Sequence, residues 1–153
     1  MPNWTPITID TLYEAKVALL IDAASSRAKK AGQPDRVPGI IQGRIDHIRR
    51  KIASCKRNRL DVAVTAIPSG LKDIAVTLII EKLKISIEQE LSQDERAAVS
   101  RAETDLNRIA SGDDVVEQPD NPLPSFEEMQ VSYGVTSKAS KRKATAHKMG
   151  GLI

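Results

Sequence analysis

Chemistry in a chain of 153 residues would start from its histidines, its cysteine and any grouped carboxylates, and here these stand apart. His47 and His147 are the two histidines, and they lie far from each other in sequence. His47 follows Asp46 on the wet side of a helical pattern and reads as a surface histidine. His147 sits in a basic stretch with no acidic neighbour. The single cysteine, Cys55, has no disulfide partner and reads as a small buried hydrophobe in a reducing compartment. Glu88/Glu90 and Asp113/Asp114 pair carboxylates only on helix surfaces or in linkers. No His/Cys/Asp cluster has metal-ligand spacing. Pro38-Gly39 and Gly150-Gly151 lack the strand and helix that a phosphate-cradling loop needs. The expectation is a protein without catalytic residues, metal or cofactor.

The remaining chemistry is charge. The net charge is +3, and its layout says more than its sum. Arg36 to Arg59 is basic, Asp113 to Glu128 carries acids and no bases, and Met129 to Ile153 carries bases and no acids. Such a layout suits different surfaces meeting different partners, and equally suits solvated faces. Arg44, Arg49, Arg50, Lys51, Lys56 and Arg57 read as one basic face of a helix. Base-edge readout is not expected, because the segment after Asn58 is too long for a helix-turn-helix. Non-specific phosphate contact and a match to acids on a neighbouring subunit both remain open.

Helical patterns position these charges. Ile41, Ile45, Ile48, Ile52 and Cys55 mark one apolar stripe, on a helix from about Ile40 to Asn58. Leu60, Val62 and Val64 then alternate with Asp61 and Ala63, as in a short extended segment. Pro68 ends it, and Ser69 is placed to cap a helix carrying Leu71, Ile74, Ala75, Leu78 and Leu83 to about Leu91. Ser92 to Glu95 has capping-box spacing and opens a helix with Val99, Ala102, Leu106 and Ile109, closed by Gly112 as a left-handed cap. Upstream, Met1 to Asp10 reads as an extended arm. Thr11 to Glu14 reads as another capping box, opening a helix that ends near Ala24 to Ser26 and is apolar on two sides, as if held between subunits. Arg27 to Gly39 reads as a loop. The fold class is therefore all-α, a small bundle of about four helices with an extended N-terminal arm. Among the aromatic residues, Trp4, Tyr13, Phe126 and Tyr133, none falls in the central helices, so Ile, Leu, Val and Ala must fill the core.

Beyond Gly112 the helical period stops. Residues 1–112 read as the helical domain and 113–153 as a long extended C-terminal tail that docks on a partner. Phe126 and Met129 can anchor a turn of helix. Val131, Tyr133 and Val135 alternate like a strand added to another sheet. Lys138, Lys141, Arg142 and Lys143 make the following stretch basic, and in isolation its composition is that of a disordered segment. No apolar run reaches the roughly twenty residues a membrane crossing takes, and Met1 to Asp10 lacks a signal-peptide pattern. Synthesis in the cytoplasm without processing is expected.

One stretch resembles a known family. Ile52, Arg59-Leu60, Val62-Ala63-Val64, Pro68, then Leu71, Ile74-Ala75, Leu78 and Leu83 follow the order of the Mu-like bacteriophage head–tail connector family. The family's closing Leu-x-x-Ile-Ala-x-Gly has its counterpart in Leu106-Asn107-Arg108-Ile109-Ala110-Ser111-Gly112. Leu60 stands where the family usually has an aromatic residue, and Ala63 where it usually has proline. The likeness spans about Thr8 to Gly112. It implies an adaptor, or head completion protein, that forms a dodecameric homo-oligomeric ring in the virion neck. Such a ring lies between the portal and a downstream tail, stopper or terminator protein, and DNA passes through it without sequence readout. On that footing Phe126, Met129, Val131, Tyr133, Val135, Lys138, Lys141, Arg142 and Lys143 become portal-contact candidates, from the chemistry of the tail rather than from a family motif. Arg44, Arg49, Arg50, Lys51, Lys56 and Arg57 become candidates for the DNA channel or for contacts between subunits. The alternatives are a non-specific nucleic-acid-binding accessory protein, or a small helical enzyme or enzyme subunit.

Overall fold

Spacing of aliphatic side chains decides where the helices lie, and local hydrogen bonds decide where they stop. The structure, a computed structural model, describes residues 2–15 and 17–121. In chain order it has a strand β1 (Trp4–Pro6), helices α1 (Ile9–Glu14), α2 (Ala18–Lys30) and α3 (Val37–Ser54), and a strand β2 (Ala66–Pro68). A 3-10 turn (Ser69–Leu71) leads into α4 (Lys72–Ser86), and α5 (Gln93–Ser111) follows. Among the described residues the fold is mostly helical, with five helices and one two-stranded sheet where about four helices were expected. The β1 strand pairs antiparallel with β2, Thr5 opposite Ile67.

The extra helix comes from a break at the end of α1. Leu12, Val17, Ile21, Ala24 and Ala28 are the buried positions of this region. On an unbroken helix Leu12 and Val17 would lie about 140° apart, at 100° per residue. Interrupting the helix after Glu14 lets both face the core and leaves Tyr13 and Leu19 outside. The capping box falls earlier than Thr11–Glu14, between Thr8 and Thr11. The α2 helix runs on to Lys30, so the loop expected from Arg27 shrinks to residues 31–36. Pro38 and Gly39 lie in the first turn of α3, where proline's missing N–H is no loss. The Asp35 carboxylate accepts the Val37 N–H at 3.0 Å.

The core is aliphatic, as composition requires, with Trp4 added to it. Val37, Ile41, Ile45, Ile48 and Ile52 of α3 meet Ala75, Leu78, Ile79 and Leu83 of α4, and Ala102, Leu106 and Ile109 of α5. Fully burying one such side chain contributes about 1.5–3 kcal/mol. Cys55 leaves this stripe: it caps α3 in extended conformation and is half-exposed. Lys56 and Arg57 therefore lie beyond the helix. The α4 helix ends at Ser86, where the Arg27 guanidinium takes the Ile87 carbonyl at 2.6 Å and the Glu88 carboxylate at 2.7 Å. Glu88 itself is left-handed, φ 56°. Ser69 does not cap α4; its hydroxyl meets Thr5 Oγ1 at 2.7 Å and ties β1 to β2.

The start of α5 matches the sequence closely. Ser92 accepts the Glu95 N–H at 3.2 Å while Glu95 accepts the Ser92 N–H at 2.8 Å. Lys84 of α4 donates to the same Glu95 carboxylate. The Lys84 hydrogen bond first, then the Ser92 N–H, hold the Glu95 carboxyl below its usual pKa. A depressed folded-state pKa gives stability that is full above the unfolded value, near 4.3, and is lost as pH falls through the folded value. Glu95→Gln should thus lower the urea midpoint at pH 7, and the gap to the parent chain should close below about pH 4. Ser92→Ala should cost about 1 kcal/mol at constant denaturant slope.

The closing Gly112 has φ 87°, and a Cβ there would stand 2.7 Å from Arg57 Nη2. Gly112→Ala should cost about 1–2 kcal/mol from backbone alone. Pairing it with Arg57→Ala should remove the clash with the guanidinium and leave the backbone part and the 3.3 Å approach to Cys55 Sγ, read from the same urea curves.

Candidate functional site

On α3, 100° per residue separates the basic side chains onto different flanks of the buried stripe. Arg49 points toward the chain that follows α3. Its Nη1 donates to the carbonyls of Ala63 at 2.9 Å and Ala66 at 2.6 Å, and its Nη2 to that of Asp61 at 2.6 Å. Its guanidinium also lies 5.6 Å from the centre of the Trp4 ring. Burial lowers the Arg49 pKa, opposed by the carboxylates of Asp61 and Asp46. This residue is spent on holding residues 61–66. The Asp61 carboxylate adds a bond to the Ala63 N–H at 2.7 Å, a side-chain turn that competes with strand formation. The extended segment expected from Leu60 to Val64 is therefore a loop, and Leu60, Val62 and Val64 are exposed on it.

Other members of the basic set are also engaged. Lys51 Nζ donates to Asn107 Oδ1 on α5 at 2.6 Å. Arg57 Nη2 donates to the Gly112 carbonyl at 2.7 Å. Hydrogen bonds from the Arg57 backbone N–H first, and then from its guanidinium, hold the Cys55 thiol below its ordinary pKa. Arg44 is half-buried, while Arg50 and Lys56 are exposed. His47, expected on the surface, is half-buried with Nε2 at 3.0 and 3.2 Å from the Glu103 carboxylate oxygens, so it links α3 to α5. The single basic face read from the sequence is in fact two tethered flanks with an exposed Arg50 between them.

A second cluster holds residues 113–121 against the helices. Val116 and Pro119 are buried. The Trp4 indole donates to the Glu117 carbonyl at 2.8 Å, and the Asn3 N–H to Asp120 Oδ2 at 3.0 Å. Arg59 donates its N–H to Gln118 Oε1 and its guanidinium to the carbonyls of Pro119 and Asn121. The compact unit consequently runs to Asn121, nine residues past the Gly112 boundary read from the sequence. The sequence signals were the lone Trp4 beside an arm and the arginine directly after Asn58, neither of which announces its partner. The portal-contact candidates Phe126, Met129, Val131, Tyr133, Val135, Lys138, Lys141, Arg142 and Lys143 lie outside the described residues.

Among the described residues, no three of His, Cys, Asp or Glu are grouped to hold a metal ion, and no helix is long and apolar enough to cross a membrane. The chain matches no protein-family model, no curated protein and no solved structure.

Arg49 and Arg50 are neighbours in sequence with opposite roles, which gives a clean contrast. Arg49→Met should destabilise the fold by about 2–3 kcal/mol, because bonds from a charged donor are lost from half-buried carbonyls. Arg50→Met should change stability by no more than about 0.5 kcal/mol. Urea unfolding of both variants checks the pair.

Proposed function

We propose that this chain is a structural virion protein, a head–tail connector subunit that assembles as a ring between portal and tail. The supporting observation is how the residues of the family resemblance pack. Ile52, Ala75, Leu78, Leu83, Leu106 and Ile109 are all buried in one continuous core, and Gly112 closes α5 in the left-handed conformation that the closing motif calls for. The helical part of the matched text thus behaves as one packing unit, while Leu60, Val62 and Val64 of the same text lie exposed on the loop between α3 and β2. In this reading the helices form the wall of a dodecameric ring in the neck, and DNA passes through the ring without sequence readout. The C-terminal tail reaches the portal through Phe126, Met129, Val131, Tyr133 and Val135, with Lys138, Lys141, Arg142 and Lys143 meeting acidic portal surface. A downstream tail, stopper or terminator protein takes the other side. No catalytic step and no cofactor belong to the mechanism, which is geometric.

Internal bonding of Arg49, Lys51 and Arg57 weakens the case for a nucleic-acid-binding protein in geometry, because their donors already point at protein oxygens, although those neutral acceptors leave the positive charge in place. Native mass measurement separates the two. A closed ring that co-purifies with portal supports the connector. A monomer whose DNA affinity falls steeply with salt overturns it in favour of the accessory protein. The tail has its own test. Because residues 113–121 belong to the compact unit, the cut belongs after Asn121. A chain ending there should stay folded and lose portal docking, and full docking by that chain would remove the tail from the mechanism.

A further inference from the structure

We propose that residues 115–121 form a releasable strap, which opens as one unit from a body that stays folded and so resets the point from which the chain departs. The opening is a property of the single subunit and holds with or without the connector reading. In that reading it sets the length of the tether that reaches the portal.

A hinge is built into the end of α5. Gly112 is left-handed, and the N–H groups of Asp113 and Asp114 both return to the Arg108 carbonyl, at 2.9 and 3.2 Å. Bonding to the helix stops there, and Val115, the next residue, is 86% exposed. From 115 to 121 the chain spans at most about 25 Å when extended. Release of the strap can therefore carry Asn121 away from the body by a distance of that order.

What holds the strap is mostly hydrogen bonding, and nearly all the donors belong to the body. Val116 and Pro119 are its buried residues. The Trp4 indole donates to the Glu117 carbonyl at 2.8 Å, the Asn3 N–H to Asp120 Oδ2 at 3.0 Å, and Asn3 Nδ2 to the Gln118 carbonyl at 3.3 Å. Arg59 gives its N–H to Gln118 Oε1 at 3.0 Å and its guanidinium to the carbonyls of Pro119 and Asn121 at 3.3 and 3.4 Å. Gln118 returns one bond, from Nε2 to Asn58 Oδ1 at 3.3 Å. Opening exchanges these bonds for bonds to water and breaks none within a helix or between β1 and β2. The arm keeps its own hold on the body, through that pairing and the Ile7 N–H to the Thr65 carbonyl at 3.1 Å. A segment with two buried side chains and bonds close to water opens far below the free energy of global unfolding. The α3 stripe is the opposite case, with Ile45, Ile48 and Ile52 fully buried.

Hydrogen exchange on the full chain tests the strap, because donors on the body report its position. The Trp4 indole N–H and the Arg59 N–H lie in different parts of the body and both end on the strap, so one opening should give them the same opening constant. That constant should exceed the one for amides inside α3 at least roughly tenfold. The Ile7 N–H should exchange more slowly than the Trp4 indole. Asp120→Ala takes an acceptor from Asn3 alone, yet should speed exchange at Trp4 and Arg59 by a common factor of about threefold to tenfold. Ile48→Val should speed exchange inside α3 by about as much and leave both strap reporters unchanged, since the core stays packed while the strap is open. Reporters that follow Ile48→Val overturn the proposal, because the segment then leaves only with the whole fold. Unequal responses of Trp4 and Arg59 to Asp120→Ala overturn it as well. So does an Ile7 N–H as fast as the Trp4 indole, which makes the arm the moving part. None of these readouts involves a partner, so the strap stands or falls apart from the connector reading.

Discussion

The guanidinium of Arg49 is the constraint on which the irregular half of this fold depends. Residues 58–65 lie between α3 and β2 in no helix or strand that would satisfy their carbonyls in a regular pattern, and an unpaired polar group in partly buried surroundings costs about 1–3 kcal/mol. Arg49 collects two of those carbonyls, of Asp61 and Ala63, together with that of Ala66 at the start of β2, and lies against the Trp4 ring. Fixing Ala66 fixes the start of β2, and β2 is the strand that pairs with β1 among the described residues. Trp4 of β1 in turn holds the Glu117 carbonyl. One side chain on α3 is therefore linked through the arm to the segment that leads out of the compact unit. Lysine, a point donor on a flexible stem, has no fork with which to make that set of bonds.

Periodic parts of the fold were legible because they rest on repeated evidence. Ile41, Ile45, Ile48 and Ile52 state the same face four times, and all four are buried. The Ser92–Glu95 box and Gly112 are local devices, with the partners a few residues away, and both are in place. Cys55 failed because a residue at the right spacing one turn further on belongs to the stripe only if the helix lasts that long. The Thr11–Glu14 box failed for a related reason. Two hydroxyls, Thr8 and Thr11, each had a suitable partner three residues on, and the choice between them depends on burying both Leu12 and Val17.

The charged residues were legible as composition but not as geometry. Six cations between Arg44 and Arg57 read as a face because a helix was assumed to carry all of them outward. An arginine stem is long enough to turn back, and carbonyls arriving from residues 61–66 outcompete water for Arg49. Asn107 and Gly112, fifty or so residues away, do the same for Lys51 and Arg57. No local pattern announces an acceptor at that distance. His47 shows the same blindness, since its neighbour in sequence is Asp46 whereas its partner is Glu103 on α5.

Tethering these side chains keeps their charge and changes where their donors point. A face with every cation outward would be a phosphate-binding stripe, with affinity set by counterion release. With Arg49, Lys51 and Arg57 turned onto protein acceptors, the outward face of α3 combines two small residues, Gly43 and Ala53, with Arg50 and the apolar loop beside it. The same bond that orders the loop also presents it: by holding the carbonyls of Asp61, Ala63 and Ala66 inward, Arg49 leaves Val62 and Val64 pointing away from the body. Stability of the fold and exposure of those two valines are consequently two results of one interaction.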